Sequence, residues 1–303
     1  MEIVRIEKVN TRENDNYVAV MGEFDGVHKG HQKLLETINQ IKKHSSLSLK
    51  TAVITFEPHP DKILNPSSKY ELIMSFDDKM AIFNKKGIDK VFVINFNEKL
   101  AQKSADDFVN EYLKKLRIVK MVVGPDFSFG KNGIGSIETL KNAEIDVKVV
   151  LEKKMESKKI GSFYIKKEIK DGNVKNAFEM LGRPYKITGK VVSGNQVGRK
   201  IGFPTANLEL IDNYVIPKLG VYVVDVWCDK VKYRGICNIG HNPTVNYRKD
   251  VVIEIHILDL SKNLYEKKLE VEFLQYLRGE QKFSSSNELV NQIKYDAELA
   301  RRY

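Results

Sequence analysis

A chain of 303 residues, 42% apolar and 30% charged, can fill two cores and falls in the ordinary globular range, which excludes a disordered or collagen-like polymer. No window approaches about 18 uninterrupted apolar residues, and the start, MEIVRIEKVNTREN, lacks the apolar core of a signal peptide, so no membrane span is expected and the cytoplasm is the expected location. The net charge of +10 comes from lysines interleaved with acids, as in LEKKMESKKI (151–160), a balance that suits small anionic substrates and argues against a nucleic-acid partner.

Through the first half, strand-length apolar runs alternate with helical patterns. The runs at 18–21, 52–56, 91–96, 121–124 and 147–151 predict strands, and helices are predicted at 31–44, 76–86, 104–116 and 136–142, with Ser104 and Ser136 as N-caps. This alternation predicts a parallel sheet covered by helices on both faces. Ligands bind such sheets off the carboxyl ends of strands, where GEFDGVHKGH (22–31) and EPHP (57–60) fall. Gly22, Gly26 and Gly30 let the backbone turn sharply, and His28 and His31 stand at the positive end of the first helix, so phosphate is the expected guest. GKNGIGS (130–136) has the glycine spacing of a P-loop without the lysine before its last serine, and no Gly-x-Gly-x-x-Gly follows a predicted strand.

Two short helices are predicted over 164–181, broken at Asp171-Gly172. From about Gly182 strands follow one another directly, at 187–193, 221–228, 232–239, 251–259 and 268–274, which predicts an antiparallel barrel or sandwich. Thr205 and Asn207 lie two apart on an extended segment and offer neutral oxygens that suit Mg²⁺. Glu254 and His256 share one face of an alternating strand, where in isolation they read as a solvated carboxylate and a structural imidazole. Cys228 and Cys237, nine apart, fit neither a metal knuckle nor a redox pair and are expected to be reduced thiols. The final helix begins at a capping box of Ser285 and Glu288 and carries a stripe of Leu289, Ile293 and Leu299 that should pack on the barrel.

Taken in order, GEFDGVHKGH, TFEPHP (55–60), VVGPDFSFG (122–130), GRKIGFPTANL (198–208), NIGHNPTV (238–245) and LRGEQKF (277–283) resemble the bacterial bifunctional riboflavin kinase and FMN adenylyltransferase family, the prokaryotic FAD synthetases. The resemblance runs over nearly the whole chain. It implies an α/β plus all-β protein: a Rossmann-like nucleotidyltransferase domain with a parallel sheet over 1–181, and a six-stranded antiparallel flavokinase β-barrel with a terminal helix over 182–303. The first would make FAD and pyrophosphate from FMN and ATP, the second FMN and ADP from riboflavin and ATP, with Mg²⁺.

The resemblance also implies roles. His28 and His31 would act on the ATP phosphates, with Gly22, Phe24, Asp25 and Gly30 shaping their pocket, and His59, Asp126 and Phe127 would surround nucleotide and flavin. In the second half Gly198, Lys200, Gly202 and Pro204 would meet ATP, Thr205 and Asn207 would hold the metal, Glu254 would take the proton of the ribityl hydroxyl, and Arg278 would sit in a loop over the flavin. One segment departs from the family pattern: where it carries I-S-S-T-x-x-R, this chain has IGSFYIK (160–166), keeping Ser162 and placing Lys166 for the arginine. Each charge-assisted hydrogen bond lost is worth about 1.5–3 kcal/mol, or roughly one to four orders of magnitude in rate for one or two of them, unless Lys153, Lys154, Lys158 or Lys159 compensates. The alternative reading is therefore a riboflavin kinase whose N-terminal domain only binds flavin or nucleotide or regulates. Glu23 stands at a position that varies in the family. Oligomeric state is not legible in the sequence.

Overall fold

The computed structural model describes residues 1–9, 13–67, 70–151, 154–155, 158–194, 198, 201–241, 251–260 and 262–303. Lys153, Lys200 and positions 242–245 of NIGHNPTV therefore lie outside the described residues. The chain divides into two units, Met1–Tyr70 with Phe76–Ile160, and Glu71–Ser75 with Gly161–Tyr303.

In the first unit six strands form one sheet: β1 (Glu2–Ile6), β2 (Asn16–Met21), β3 (Leu49–Glu57), β4 (Lys90–Asn95), β5 (Ile118–Val123) and β6 (Asp146–Val149). Their spatial order is β1-β4-β3-β2-β5-β6 and every pairing is parallel, as the alternation predicts. Residues 17–21 of β2 are all buried, the near-continuous apolar run that a strand covered on both faces requires. The helices are α1 (Lys29–His44), α2 (Pro60–Leu64), α3 (Phe76–Lys85), α4 (Glu98–Ala101), α5 (Ala105–Phe108) and α6 (Ile137–Asn142). The chain runs β2, β3, β4 towards one edge and then returns to lay β5 and β6 on the other side of β2. That reversal opens a crevice between the carboxyl ends of β2 and β5, the switch point at which such sheets take ligands.

The predicted helix over 104–116 is instead α5 followed by a π turn over Val109–Leu113. Ser104 caps it as expected, accepting from the Asp107 N–H at 3.1 Å. Val109, Tyr112 and Leu113 all enter the core, the i, i+3, i+4 spacing that the helical pattern predicts, although the turn that carries them is widened. GKNGIGS is a clamped loop: Phe129 and Gly135 exchange backbone hydrogen bonds at 3.0 and 2.9 Å, and Gly130 and Gly135 press on Ala105, where a Cβ would clash. Its glycines serve packing. After β6 two short strands, β7 (Lys154–Met155) and β8 (Lys158–Lys159), pair antiparallel.

The second unit opens with α7 (Ser162–Lys170) and α8 (Val174–Leu181), broken as predicted at Gly172, whose φ of +81° favours glycine. A closed barrel follows: β9 (Tyr185–Val192), β10 (Ala206–Leu210), β11 (Gly220–Cys228), β12 (Val231–His241), β13 (Val251–Ile257) and β14 (Lys268–Arg278), in the order β10-β13-β12-β11-β14-β9 with antiparallel pairing throughout. Closure removes the free edges that a sandwich would leave. Inside it Tyr222 meets Phe273 edge-on at 5.2 Å and Tyr185 stacks on Phe273 at 5.9 Å. On the outer face Val221, Val223 and Ile236 receive Ala297, Ala300 and Ile293 of the terminal helix α9 (Ser286–Arg302). Ser285 caps α9 through the Glu288 N–H, while the Glu288 carboxylate accepts from the Ser284 N–H at 3.0 Å, one residue earlier than a capping box prescribes. Cys228 and Cys237 are free and buried.

Candidate active sites

At the end of β2 the chain enters GEFDGVHKGH and turns at once. The Gly22 N–H donates to the Ile54 carbonyl at 3.0 Å, and Phe24, Gly26 and Val27 all adopt left-handed backbone, with φ of +53°, +78° and +36°. A β-branched residue such as Val27 pays for that geometry in strain, which packing holds in place: Phe24, Asp25, Val27 and His28 are all buried. His28 is the N-cap of α1, its Nδ1 accepting from the His31 N–H at 3.3 Å. In the neutral ring this places the proton on Nε2, so that edge is a donor. The His28 and His31 rings stack at 3.6 Å, and Phe24 meets His31 edge-on at 5.0 Å. Gly30 faces the His28 ring so closely that a Cβ there would lie 3.1 Å from it.

Beyond β3, the next strand of the sheet, His59 caps α2 through Nδ1, which accepts from the Asp61 N–H at 3.2 Å. Its ring stacks on Tyr70 at 3.9 Å, and the Tyr70 hydroxyl donates to Asp25 at 3.3 Å. Burial and the neighbouring Asp25 push the Tyr70 phenol well above its ordinary range. Beyond β5 come Asp126, exposed, and Phe127, half-buried against Phe129 at 5.6 Å. The sheet thus gathers Gly22–His31, His59 and Asp126–Phe127 at the carboxyl ends of three adjacent strands. Ser162 and Lys166 belong to the second unit, where Ser162 opens α7 behind an N-cap of Gly161; Phe163, at the position of the family's threonine, is 75% exposed. Tyr70 and Lys79, whose ammonium donates to the Glu23 carbonyl at 2.9 Å, were not legible as site residues because nothing in their local sequence marks them.

In the barrel, strand register does the assembling. Asn207 on β10 pairs with Glu254 on β13, and Glu254 pairs with Asn238 on β12, so the three share one lateral row on one face of the sheet. Asn238 lies in NIGHNPTV, yet only the register reveals that it flanks Glu254. The Asn207 amide abuts Gly194, where any Cβ would collide with it. Burial raises the Glu254 carboxyl above its ordinary range. His256, one step along the same face, bonds the Pro204 carbonyl through Nδ1 at 2.9 Å and meets Phe203 edge-on at 5.3 Å, so it props the segment that carries Thr205. That segment turns through Gly198, whose carbonyl accepts from Phe203 N–H at 2.8 Å, and through Gly202 at φ +86°. Pro204 and Thr205 line a cleft of about 380 Å³ with Ile255, Lys262 and Tyr265. Arg278 forks onto Asp296 of α9, its Nε and one Nη both bonding Oδ2, at 3.0 and 2.7 Å, and Asp296 also accepts from Gln292. The structure therefore ties the LRGEQKF loop to the terminal helix through this pair.

Each unit is covered by its own family model, FAD synthetase over residues 10–164 and riboflavin kinase over 181–303. The bifunctional riboflavin kinase/FMN adenylyltransferase of Bacillus subtilis is 38% identical over 293 residues, covering 94% of this chain and 92% of that one. Its Escherichia coli K12 counterpart is 31% identical, covering 100% and 98%. A solved Streptococcus pneumoniae structure, described as a macrolide-efflux protein, superposes with a TM-score of 0.93 at 33% identity over the full length of both chains. Among the described residues no helix is long and apolar enough to cross a membrane. With both family models matched in order and full-length relatives above 30% identity, the chain belongs to the bifunctional riboflavin kinase/FMN adenylyltransferase family.

Proposed function

We propose that this chain makes flavin cofactors in two ATP-dependent steps, phosphorylating riboflavin to FMN at the barrel and adenylylating FMN to FAD at the parallel sheet. The observation that supports the reading is that motif residues far apart in sequence gather, Gly22–His31, His59 and Asp126–Phe127 at the carboxyl ends of three adjacent strands and Asn207, Glu254 and Asn238 in one row of the barrel. The activities are assigned to 1–181 and 182–303; α7 and α8 lie in the first of these spans although they pack with the barrel unit.

At the barrel, the ribityl terminal hydroxyl attacks the γ-phosphorus of ATP. The new O–P bond forms as the bond to the bridging oxygen of ADP breaks, and the hydroxyl proton passes to Glu254. A carboxylate with a raised pKa is the better proton acceptor for this step. Thr205 and Asn207 would hold Mg²⁺: their oxygens are hard and neutral, the Asn207 amide is pinned by Gly194, and a carboxylate stands beside it. When bound, that ion would neutralise charge on the phosphates. Gly198, Gly202 and Pro204 bring backbone close to the nucleotide, and the family motif assigns Lys200, outside the described residues, to the same ligand. Arg278, through Asp296, fixes the loop over the flavin.

At the sheet, a phosphate oxygen of FMN attacks the α-phosphorus of ATP and pyrophosphate departs. His28 and His31, at the positive end of α1, donate to the departing charge. Gly22, Phe24, Asp25 and Gly30 shape the pocket, while His59, Asp126 and Phe127 border the flavin and nucleotide. Ser162 and Lys166 are assigned to phosphate. A cytoplasmic setting fits the two free thiols.

The test is chromatographic separation of flavins after incubation with riboflavin, ATP and Mg²⁺, and separately with FMN, ATP and Mg²⁺. FAD is expected in both. FMN without FAD would overturn the second activity and leave the kinase-only alternative, and neither product would overturn the whole reading.

A further inference from the structure

Phe24 stands in left-handed backbone at φ +53°, a conformation that residues other than glycine keep only where the surroundings impose it. The peptide that leads into it joins Glu23 to Phe24, and turning over that one plane would return Phe24 to extended backbone. Its carbonyl is held. The Lys79 ammonium of α3 donates to the Glu23 carbonyl oxygen at 2.9 Å, a charge-assisted bond and so one of the stronger kind. Before this peptide the Gly22 N–H is bonded to the Ile54 carbonyl at 3.0 Å, and after it the Phe24 carbonyl accepts from the Val27 N–H at 2.9 Å. Lys79 is itself anchored. Its ammonium lies 5.9 Å from the centre of the Phe76 ring, at the start of the same helix, and α3 is rooted in the core through Met80 and Phe83. A second contact from α3 reaches the next residue of the loop, since Phe83 meets Phe24 edge-on at 5.6 Å. Phe24 in turn meets His31 at 5.0 Å and His31 stacks on His28 at 3.6 Å, so a continuous line of rings runs from α3 to the histidine pair.

Resting on the adenylyltransferase reading of this site, we propose that Lys79 is a positioning residue: its bond to the Glu23 carbonyl locks the Glu23–Phe24 peptide in the orientation that keeps Phe24 left-handed, and through the Phe24 ring it aims His31 and His28. Without that bond the carbonyl swings, Phe24 relaxes towards extended backbone, and its ring leaves its place between Phe83 and His31. No covalent step is involved. The histidines act on charge that develops as pyrophosphate departs, so misaiming them costs the transition state more than the ground state, and the effect belongs to kcat rather than to KM. The ammonium also stands near enough to the Glu23 carboxyl for the two charges to interact, and a bare countercharge role is the rival that the test must separate.

The experiment is to measure kcat and KM for adenylylation of FMN by the full chain carrying Lys79→Met, Lys79→Arg, or Lys79→Met together with Glu23→Gln, with riboflavin phosphorylation and a thermal melt of the same samples as references. Methionine keeps an apolar stem and removes the donor, so kcat should fall by about 10²-fold, the cost of roughly 1 Å of misplacement, while KM for FMN stays within about threefold. Arginine keeps a charged donor and should bring kcat back to within about tenfold of the original. The double variant also removes the carboxyl left without its neighbouring cation, and should stay as slow as Lys79→Met. In spectra of isotope-labelled histidine, the His28 and His31 ring signals should move in both methionine variants and return in the arginine variant. A Lys79→Met kcat within about twofold of the original overturns the inference. So does recovery in the double variant, which would make Lys79 a countercharge only, or a loss shared equally by the kinase rate and the melting temperature, which would make it a stability residue. All three leave the adenylyltransferase reading intact. Absence of FAD from the unaltered protein, with FMN still formed from riboflavin, overturns that reading and the inference with it.

Discussion

Partial burial raises the pKa values of two carboxyls, Glu23 and Glu254, and their neighbours differ. Glu23 is crowded by Asp25 and Asp61, so its neutral form dominates near neutrality. For Glu254 burial is the one cause, and it lies in a row of neutral amides, Asn207 and Asn238, that leaves its ionised form accessible as a base. Replacing it by glutamine keeps size and removes proton acceptance, so Glu254→Gln should lower kcat for riboflavin phosphorylation by about 10²–10⁴-fold. Formation of FAD from supplied FMN should persist. The base works only when ionised, so the kinase rate should fall as pH drops through the Glu254 pKa, and that acidic limb should lie above the ordinary carboxylate range. Steady-state kinetics across pH checks both points, and a Glu254→Gln rate within about twofold of the original would remove the residue from the base role.

Elements with strong periodicity were legible before the structure: five strands of the parallel sheet, the break at Gly172 and the capped terminal helix all follow from local pattern. What was not legible was set by partners distant in sequence. Strand β1 is short and largely exposed, and exists because β4 offers it an edge; the segment of Thr205 and Asn207 reads as extended but not as a sheet strand until β9 and β13 claim it as β10. For the same reason the family motifs pointed to Thr205, Asn207 and Glu254 separately, while the row that joins Asn207 to Glu254 and Asn238 needed the register. Arg278 shows the limit most clearly, because its partner Asp296 sits 18 residues on, in a helix whose apolar stripe gave no hint of a buried acid. The Asp296 side chain is 2% exposed and Arg278 18%, so Asp296→Asn leaves a largely enclosed guanidinium without its countercharge. It should destabilise the barrel unit by about 3 kcal/mol, near the cost of breaking a buried pair. A thermal melt reads that loss. Because β14 and α9 flank the LRGEQKF loop, KM for riboflavin should rise more than kcat falls, and unchanged kinetics would confine the pair to stability.

At the scale of the molecule, two sites on one chain share an intermediate: FMN is the product of the barrel and the substrate of the sheet. The histidines assigned to the sheet site, His28 and His31, belong to the first unit and Glu254 of the barrel to the second, so each activity should be disabled without the other. His28 needs care in this respect, since its ring both caps α1 and faces phosphate. Alanine would remove the cap as well, at a cost of about 1 kcal/mol, whereas asparagine is a good N-cap and removes the imidazole alone. A chain with His28→Asn and His31→Asn should accumulate FMN from riboflavin and make little FAD, and the Glu254→Gln chain should do the reverse, using supplied FMN only. Mixed together with riboflavin, ATP and Mg²⁺, the two defective proteins should restore FAD, after a lag in which free FMN builds up and at a rate that grows with the concentration of either. That outcome would show that FMN crosses between sites through solution. If the mixture makes FMN but no FAD, although the Glu254→Gln chain converts supplied FMN on its own, free exchange is ruled out and the intermediate must pass within one chain.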